Sequence, residues 1–116
     1  MRYPMLFIAC AVARVASAQA SVMDRAHVAL PHDSVNIVEV KYGPGGSSKA
    51  HHHPCPVIAY VISGSLRSKV NDGPDSTYTA GQTFYEPPGA EHRISANASQ
   101  TDSVKFLAFF VCDRPR

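Results

Sequence analysis

The sequence predicts one all-β domain, a sandwich or a small barrel. Short apolar or alternating segments recur at regular spacing, Gly and Pro clusters punctuate them, and no segment after Ser21 carries a capped helical stripe. The 116 residues suffice for one domain. An immunoglobulin-like sandwich gains little support, because the chain has no Trp and lacks the matching Cys spacing.

The first residues read as a leader rather than as fold. Arg2 precedes an apolar stretch from Pro4 to Ala13, and the small residues Ala16, Ser17 and Ala18 follow. That is the layout of a secretory signal peptide. Arg14 limits the apolar core to about ten residues, inside the usual range of about 7–15. Cleavage is expected after Ala18 or Ala20, so residues 1–20 are assigned to the signal and 21–116 to the domain. The expected location is periplasmic or secreted. The stretch is too short for a convincing membrane span, and no membrane association is expected once it is removed. The 11 Lys and Arg exceed the 9 Asp and Glu only through Arg2 and Arg14. With balanced charge and no basic patch, nucleic acid is not an expected partner. Cys10 leaves with the signal. Cys55 and Cys112 remain, either as a disulfide that export would permit or as two unpaired thiols; free thiols are the expectation.

Residues 21–34, with His27 and His32, are poorly patterned. "VNIVEVKY" (Val35 to Tyr42) alternates, with Val35, Ile37, Glu39 and Lys41 on one face and Asn36, Val38, Val40 and Tyr42 on the other. "GPGG" breaks it at Gly43. "VIAYVI" (Val57 to Ile62) is apolar on both faces, as suits a strand covered on both sides. Its outer face and the sheet edges, which must be covered, predict a homodimer. "LRSKV" (Leu66 to Val70) leads into the turn "NDGPD". "STYTAGQTFYE" gives two short strands around Gly81, and Pro87-Pro88-Gly89 turns into "HRISAN". "SVKFLAFFVC" (Ser103 to Cys112) is the final strand, with Val104, Phe106, Ala108, Phe110 and Cys112 on one face as barrel lining.

The chemistry concentrates in "HHHPCPVIAY" (His51 to Tyr60). On a strand, His51 and His53 point to one face and His52 to the other. Two imidazoles on one strand cannot surround an ion, and His92, just past the Pro-Pro-Gly turn, is the natural third ligand. Three imidazoles meeting in one cavity repel one another when protonated and leave nitrogens unpaired when neutral; a divalent cation resolves both problems. Glu86 reads either as a partner for a ligand imidazole or as a solvated carboxylate at a turn. Cys55, between two prolines and close to the expected pocket mouth, reads either as a turn residue or as a group that reaches a metal or a substrate. Tyr60 and Tyr85 either line a pocket or pack outside it.

These residues carry a family resemblance. Gly45, His51-x-His53, Val57 and Gly64 match the spacing of the first cupin motif, and Gly81, Pro87-x-Gly89 and His92 match the second, with Asn97 one residue late. The chain resembles a small, single-domain, exported bacterial cupin, which implies a jelly-roll β-barrel with an internal pocket. Many cupins place a metal-binding Glu where this chain has Val57. The resemblance therefore carries over His51, His53 and His92 as metal ligands, without the fourth. The metal expected is Fe, Zn, Mn, Ni or Cu, open to a small anionic or chelating ligand. Three-histidine cupins similar to cysteine dioxygenase and acetylacetone dioxygenase imply a dioxygenase-type oxidoreductase as one function. A non-catalytic small-molecule or metal binder, or a structural or sensory module with a vestigial pocket, are the others. No general acid or base is evident by motif.

Overall fold

The structure, a computed structural model, describes residues 20–113. The signal-peptide reading falls on residues outside those described, apart from Ala20. Ten strands and no helix appear among the described residues. They are β1 (Ala20–Ala29), β2 (Asp33–Tyr42), β3 (Ser47–Ser48), β4 (His51–His52), β5 (Val57–Ser63), β6 (Ser65–Val70), β7 (Ser76–Thr79), β8 (Thr83–Glu86), β9 (Glu91–Asn97) and β10 (Val104–Asp113). One sheet runs β1-β2-β10-β5-β8; the other runs β3-β9-β6-β7, with β4 also on β9. All pairings are antiparallel. Two facing antiparallel sheets form the double-sheet jelly roll that the sequence predicted.

Alternation decides what each strand buries. Val38, Val40 and Tyr42 of β2 point inward, as do Val104, Phe106 and Ala108 of β10. On β5, Val57, Ala59 and Val61 are at most 1% exposed, whereas Ile58, Tyr60 and Ile62 are 39–44% exposed. This corrects the expectation that β5 is covered on both sides: within one chain its outer face is open. The register aligns Ile37, Phe109, Ile58 and Tyr85 across β2, β10, β5 and β8. The outer face of this sheet is thus an apolar row, and Tyr60 and Tyr85 lie on it rather than in the cavity.

β1 was not legible in the sequence. All ten of its residues are exposed, and it is held by its ladder to β2. A strand buried on neither face has no reason to alternate. A register shift between Asp24 and Ala26 further breaks the period.

Cys55 and Cys112 are joined in a disulfide, their Cα atoms 5.1 Å apart. This corrects the expectation of free thiols. Their separation in sequence gave no sign of it. The pairing of β10 with both β2 and β5 brings Val111 beside Pro56, whose carbonyl accepts the Val111 N–H at 3.0 Å, and Cys112 falls opposite Cys55.

Two motif residues are explained by the backbone. Gly64 has φ +79°, and a Cβ there would meet the Ser103 carbonyl oxygen at 2.4 Å, so only glycine fits the corner between β5 and β6. Asn97 is buried and gathers three carbonyls with its side-chain amide: Gly43 at 2.9 Å, Asp102 at 2.6 Å and Tyr42 at 3.3 Å. Its Oδ1 accepts the Ser99 N–H at 2.9 Å.

Candidate metal centre

Two turns deliver the site. Pro87-Pro88-Gly89-Ala90 forms a turn closed by the Ala90 N–H on the Pro87 carbonyl at 3.1 Å, with Gly89 at φ +74°. Pro at the second position and a left-handed Gly at the third make a type II turn. It sends the chain from Glu86, at the end of β8, back through His92 on β9. Across from it, Pro54 ends the short β4 because it has no N–H to donate. The two turns are tied together: the Gly89 N–H donates to the His53 carbonyl at 2.8 Å, and His52 Nδ1 bonds the Gly89 carbonyl at 3.2 Å. His52 is exposed and faces away from His51 and His53, as the strand period predicted.

His51 is the direct cross-strand partner of His92. Their ring centroids are 5.2 Å apart, and those of His51 and His53 are 4.6 Å apart. His53 packs edge-on against Phe110 at 4.9 Å. All three predicted histidines therefore line one cavity of about 220 Å³. Its wall is otherwise mostly apolar, with Val38, Val40, Val57, Ala59, Phe106 and Ala108 contributing. His27, on β1, bonds Asn36 instead.

Glu86 also lines this cavity and is 5% exposed. The solvated-carboxylate reading is thereby corrected. Register explains its place: Glu86 is the cross-strand partner of Val57, and both side chains point inward. Among the described residues, the group whose ligand atoms all lie within 4.8 Å of one another is His51, His53 and Glu86. His92 stands behind the carboxylate. Its Nδ1 is 3.1 Å from Glu86 Oε1, while its Nε2 and the Ser68 hydroxyl share a 2.8 Å hydrogen bond. Glu86 Oε1 is buried, and beyond the adjacent His92 imidazole it has no hydrogen-bond partner.

Protonation fits a cation site. His51 Nδ1 is 2.7 Å from the Lys49 carbonyl, so that nitrogen is the donor and Nε2 is the one left for a metal. Burial holds His53 below the ordinary imidazole value; Glu86 opposes the shift, and His51 and His92 reinforce it. Two imidazoles beside a buried carboxylate form a donor set suited to a divalent metal. Cys55 is withdrawn from any ligand role by its disulfide.

A family model described as "Cupin domain" matches residues 38–110. A comparison with curated protein sequences finds no match. Among solved structures, the chain is similar to one described as "DMSP lyases RdDddP and RnDddQII", at 25% identity and a TM-score of 0.59, covering 66% of this chain and 37% of that one. It is similar to an RmlC-like cupin from Methanocaldococcus jannaschii at 18% identity and a TM-score of 0.65, covering 81% of each chain. An oxalate oxidase in complex with the substrate analogue glycolate matches at 24% identity and a TM-score of 0.58, covering 78% of this chain and 50% of that one. The chain thus spans well under two thirds of the lyase and of the oxidase.

Proposed function

This chain belongs to the cupin family, and on that premise we propose that it is a small exported cupin in which His51, His53 and Glu86 hold one divalent metal ion and present it to a small anionic or chelating molecule. The observation that carries the proposal is the buried Glu86 carboxylate, whose Oε1 has no hydrogen-bond partner beyond the adjacent His92 imidazole and which lies within ligand distance of His51 and His53. A buried carboxylate oxygen left so is costly, and a cation held by the three side chains removes the cost. When bound, such an ion supplies Lewis acidity and a docking point for an anion. Two neutral imidazoles and one carboxylate leave a divalent ion with net positive charge, which favours an anionic ligand. His92 is the positioning residue: anchored on Ser68, it sets the carboxylate against the ion.

Metal content and calorimetry test the proposal. The purified protein should take up one equivalent of Fe, Zn, Mn, Ni or Cu, and His51→Ala, His53→Ala and Glu86→Gln should each weaken binding at least tenfold. Parent-like affinity in all three variants overturns it and leaves a vestigial pocket. A second reading keeps His92 as a direct ligand, and its ring distance to His51 favours that. Pulsed EPR of the copper-loaded protein separates the two by counting two imidazoles or three. A non-catalytic binder and a dioxygenase-type oxidoreductase share this site. Oxygen uptake by iron-loaded protein offered diketones, thiols and phenolic acids divides them.

Export is supported by the leader-like N-terminal sequence and by the disulfide, because such bonds persist in oxidising compartments. N-terminal sequencing of the native protein should begin at Gln19 or Ser21. A homodimer is supported by the row of Ile37, Phe109, Ile58 and Tyr85 on the outer sheet face. Light scattering giving a monomer at micromolar concentration would remove it.

A further inference from the structure

The cavity has a second polar end, which metal binding does not use. The β3–β9 ladder pairs Ser48 with Ser95, just as the β4–β9 ladder pairs His51 with His92. His92 and Ser95 are each 3% exposed and both line the cavity. Three residues of strand separate them, about 10 Å at roughly 3.3 Å per residue, shortened by the register shift opposite Lys69 and Val70. At the Ser95 end, the Tyr42 hydroxyl lies 2.9 Å from Ser95 Oγ, and Ser48 Oγ is buried with no hydrogen-bond partner. Between the two ends the wall is apolar, formed by Val38, Val40, Ala59, Phe106 and Ala108. Every ionisable imidazole or carboxylate of the lining belongs to the metal end.

Hydroxyl accounting defines what this end accepts. The Tyr42–Ser95 bond consumes one hydroxyl hydrogen, so one of that pair and Ser48 each keep a hydrogen to donate, with lone pairs to spare. Among the described residues that line this end there is no cation to neutralise a carboxylate and no carboxylate to neutralise an ammonium. We infer that Ser48, Ser95 and Tyr42 form a tail subsite for an uncharged polar group, and that the ligand is a short chain with a chelating acid at one end and a hydroxyl, carbonyl or amide at the other. The inference rests on the metal reading for the acid end alone; the tail subsite stands on its own side chains.

The test uses the full chain loaded with Mn²⁺ and a series of ω-hydroxy-2-oxo acids of four to seven carbons. Each is paired with the acid that carries a methyl in place of the terminal hydroxyl. Calorimetry should find one length at which the hydroxyl probe binds at least tenfold more tightly than its methyl counterpart. Ser48→Ala should cut that preference to under twofold and leave the Mn²⁺ affinity unchanged. Ser48→Ala removes a hydroxyl that bonds nothing in the protein, so its thermal midpoint should not fall, and a folding defect will not mimic the result. If no length shows the preference, or if it survives both Ser48→Ala and Ser95→Ala, the inference is overturned. Should Mn²⁺ itself fail to bind, the metal reading fails instead. The tail subsite is then read on metal-free protein by amide shifts at Ser48 and Ser95 with 1-butanol to 1-hexanol. Absence of shifts there, or shifts unchanged in Ser48→Ala, overturns it as well.

Discussion

Replacing Cys55 and Cys112 together by Ser should be the most damaging change outside the core. The bridge closes a loop of 57 residues by sequence separation, and that loop contains all of β5 to β9 and most of β10. Chain-entropy accounting assigns such a loop about 14 cal/mol/K, or about 4 kcal/mol at 25 °C. Against a total stability of about 5–15 kcal/mol for a small domain, the loss is severe. It should also reach the site, because Cys55 is two residues from His53 and anchors that turn to the end of β10. The assay is urea unfolding of parent and double variant, both under oxidising conditions and after reduction of the parent. Reduced parent and variant should share a midpoint well below that of the oxidised parent. Calorimetry should show weaker metal binding in both. A double variant within about 0.5 kcal/mol of the oxidised parent would refute the reasoning, since the bridge would then not restrict the unfolded chain as loop-closure entropy requires.

Acid should both unfold the protein and release its metal. His53 is held below its ordinary value of 6.5, so the unfolded chain binds more protons than the folded one between the two values. Its contribution is present above 6.5 and is lost as pH falls through the lower folded value; denaturant midpoints and metal titrations between pH 7 and pH 4 should fall together. Val57→Glu places a second buried carboxylate opposite Glu86 and should destabilise metal-free protein by about 3 kcal/mol. Added divalent metal should restore its thermal midpoint, and a midpoint indifferent to metal would count against the site. Asn97→Ala removes hydrogen bonds to the Tyr42, Gly43 and Asp102 carbonyls and from the Ser99 N–H and should cost about 2–4 kcal/mol, read as a shifted urea midpoint with metal affinity retained.

Much of the fold was legible because burial writes a period into the chain. Val38, Val40 and Tyr42 alternate with exposed or half-buried neighbours, and Val104, Phe106 and Ala108 do the same. All ten residues of β1 are exposed, and it left no period to read. β5 misled in the opposite sense: Ile58, Tyr60 and Ile62 are apolar yet exposed, since their partners of β8 and β10 extend an apolar outer face rather than bury it. The disulfide was hidden because distance in sequence says nothing about cross-sheet proximity. The type II turn at Gly89 and the left-handed corner at Gly64, by contrast, were visible as glycines at fixed spacings. Each sits where a side chain would strain the backbone or strike a neighbouring carbonyl.

The site shows most clearly what a linear motif misses. Read along β5, the carboxylate expected at position 57 is simply gone, and three imidazoles seem to stand without an anion. Read across the sheet, position 57 faces position 86. Inward-facing cross-strand neighbours have Cβ atoms only about 4.5–5.5 Å apart, so a carboxylate on either one serves the same point in the cavity. Glu86 therefore returns the negative charge from the neighbouring strand, and Val57 becomes the apolar wall beside it. The exchange has a consequence for His92. With Glu86 in front of it and Ser68 bonded at its far nitrogen, the ring is held against the carboxylate, and His51, His53 and Glu86 would hold an ion in a cavity that the apolar belt and Ser48, Ser95 and Tyr42 also line.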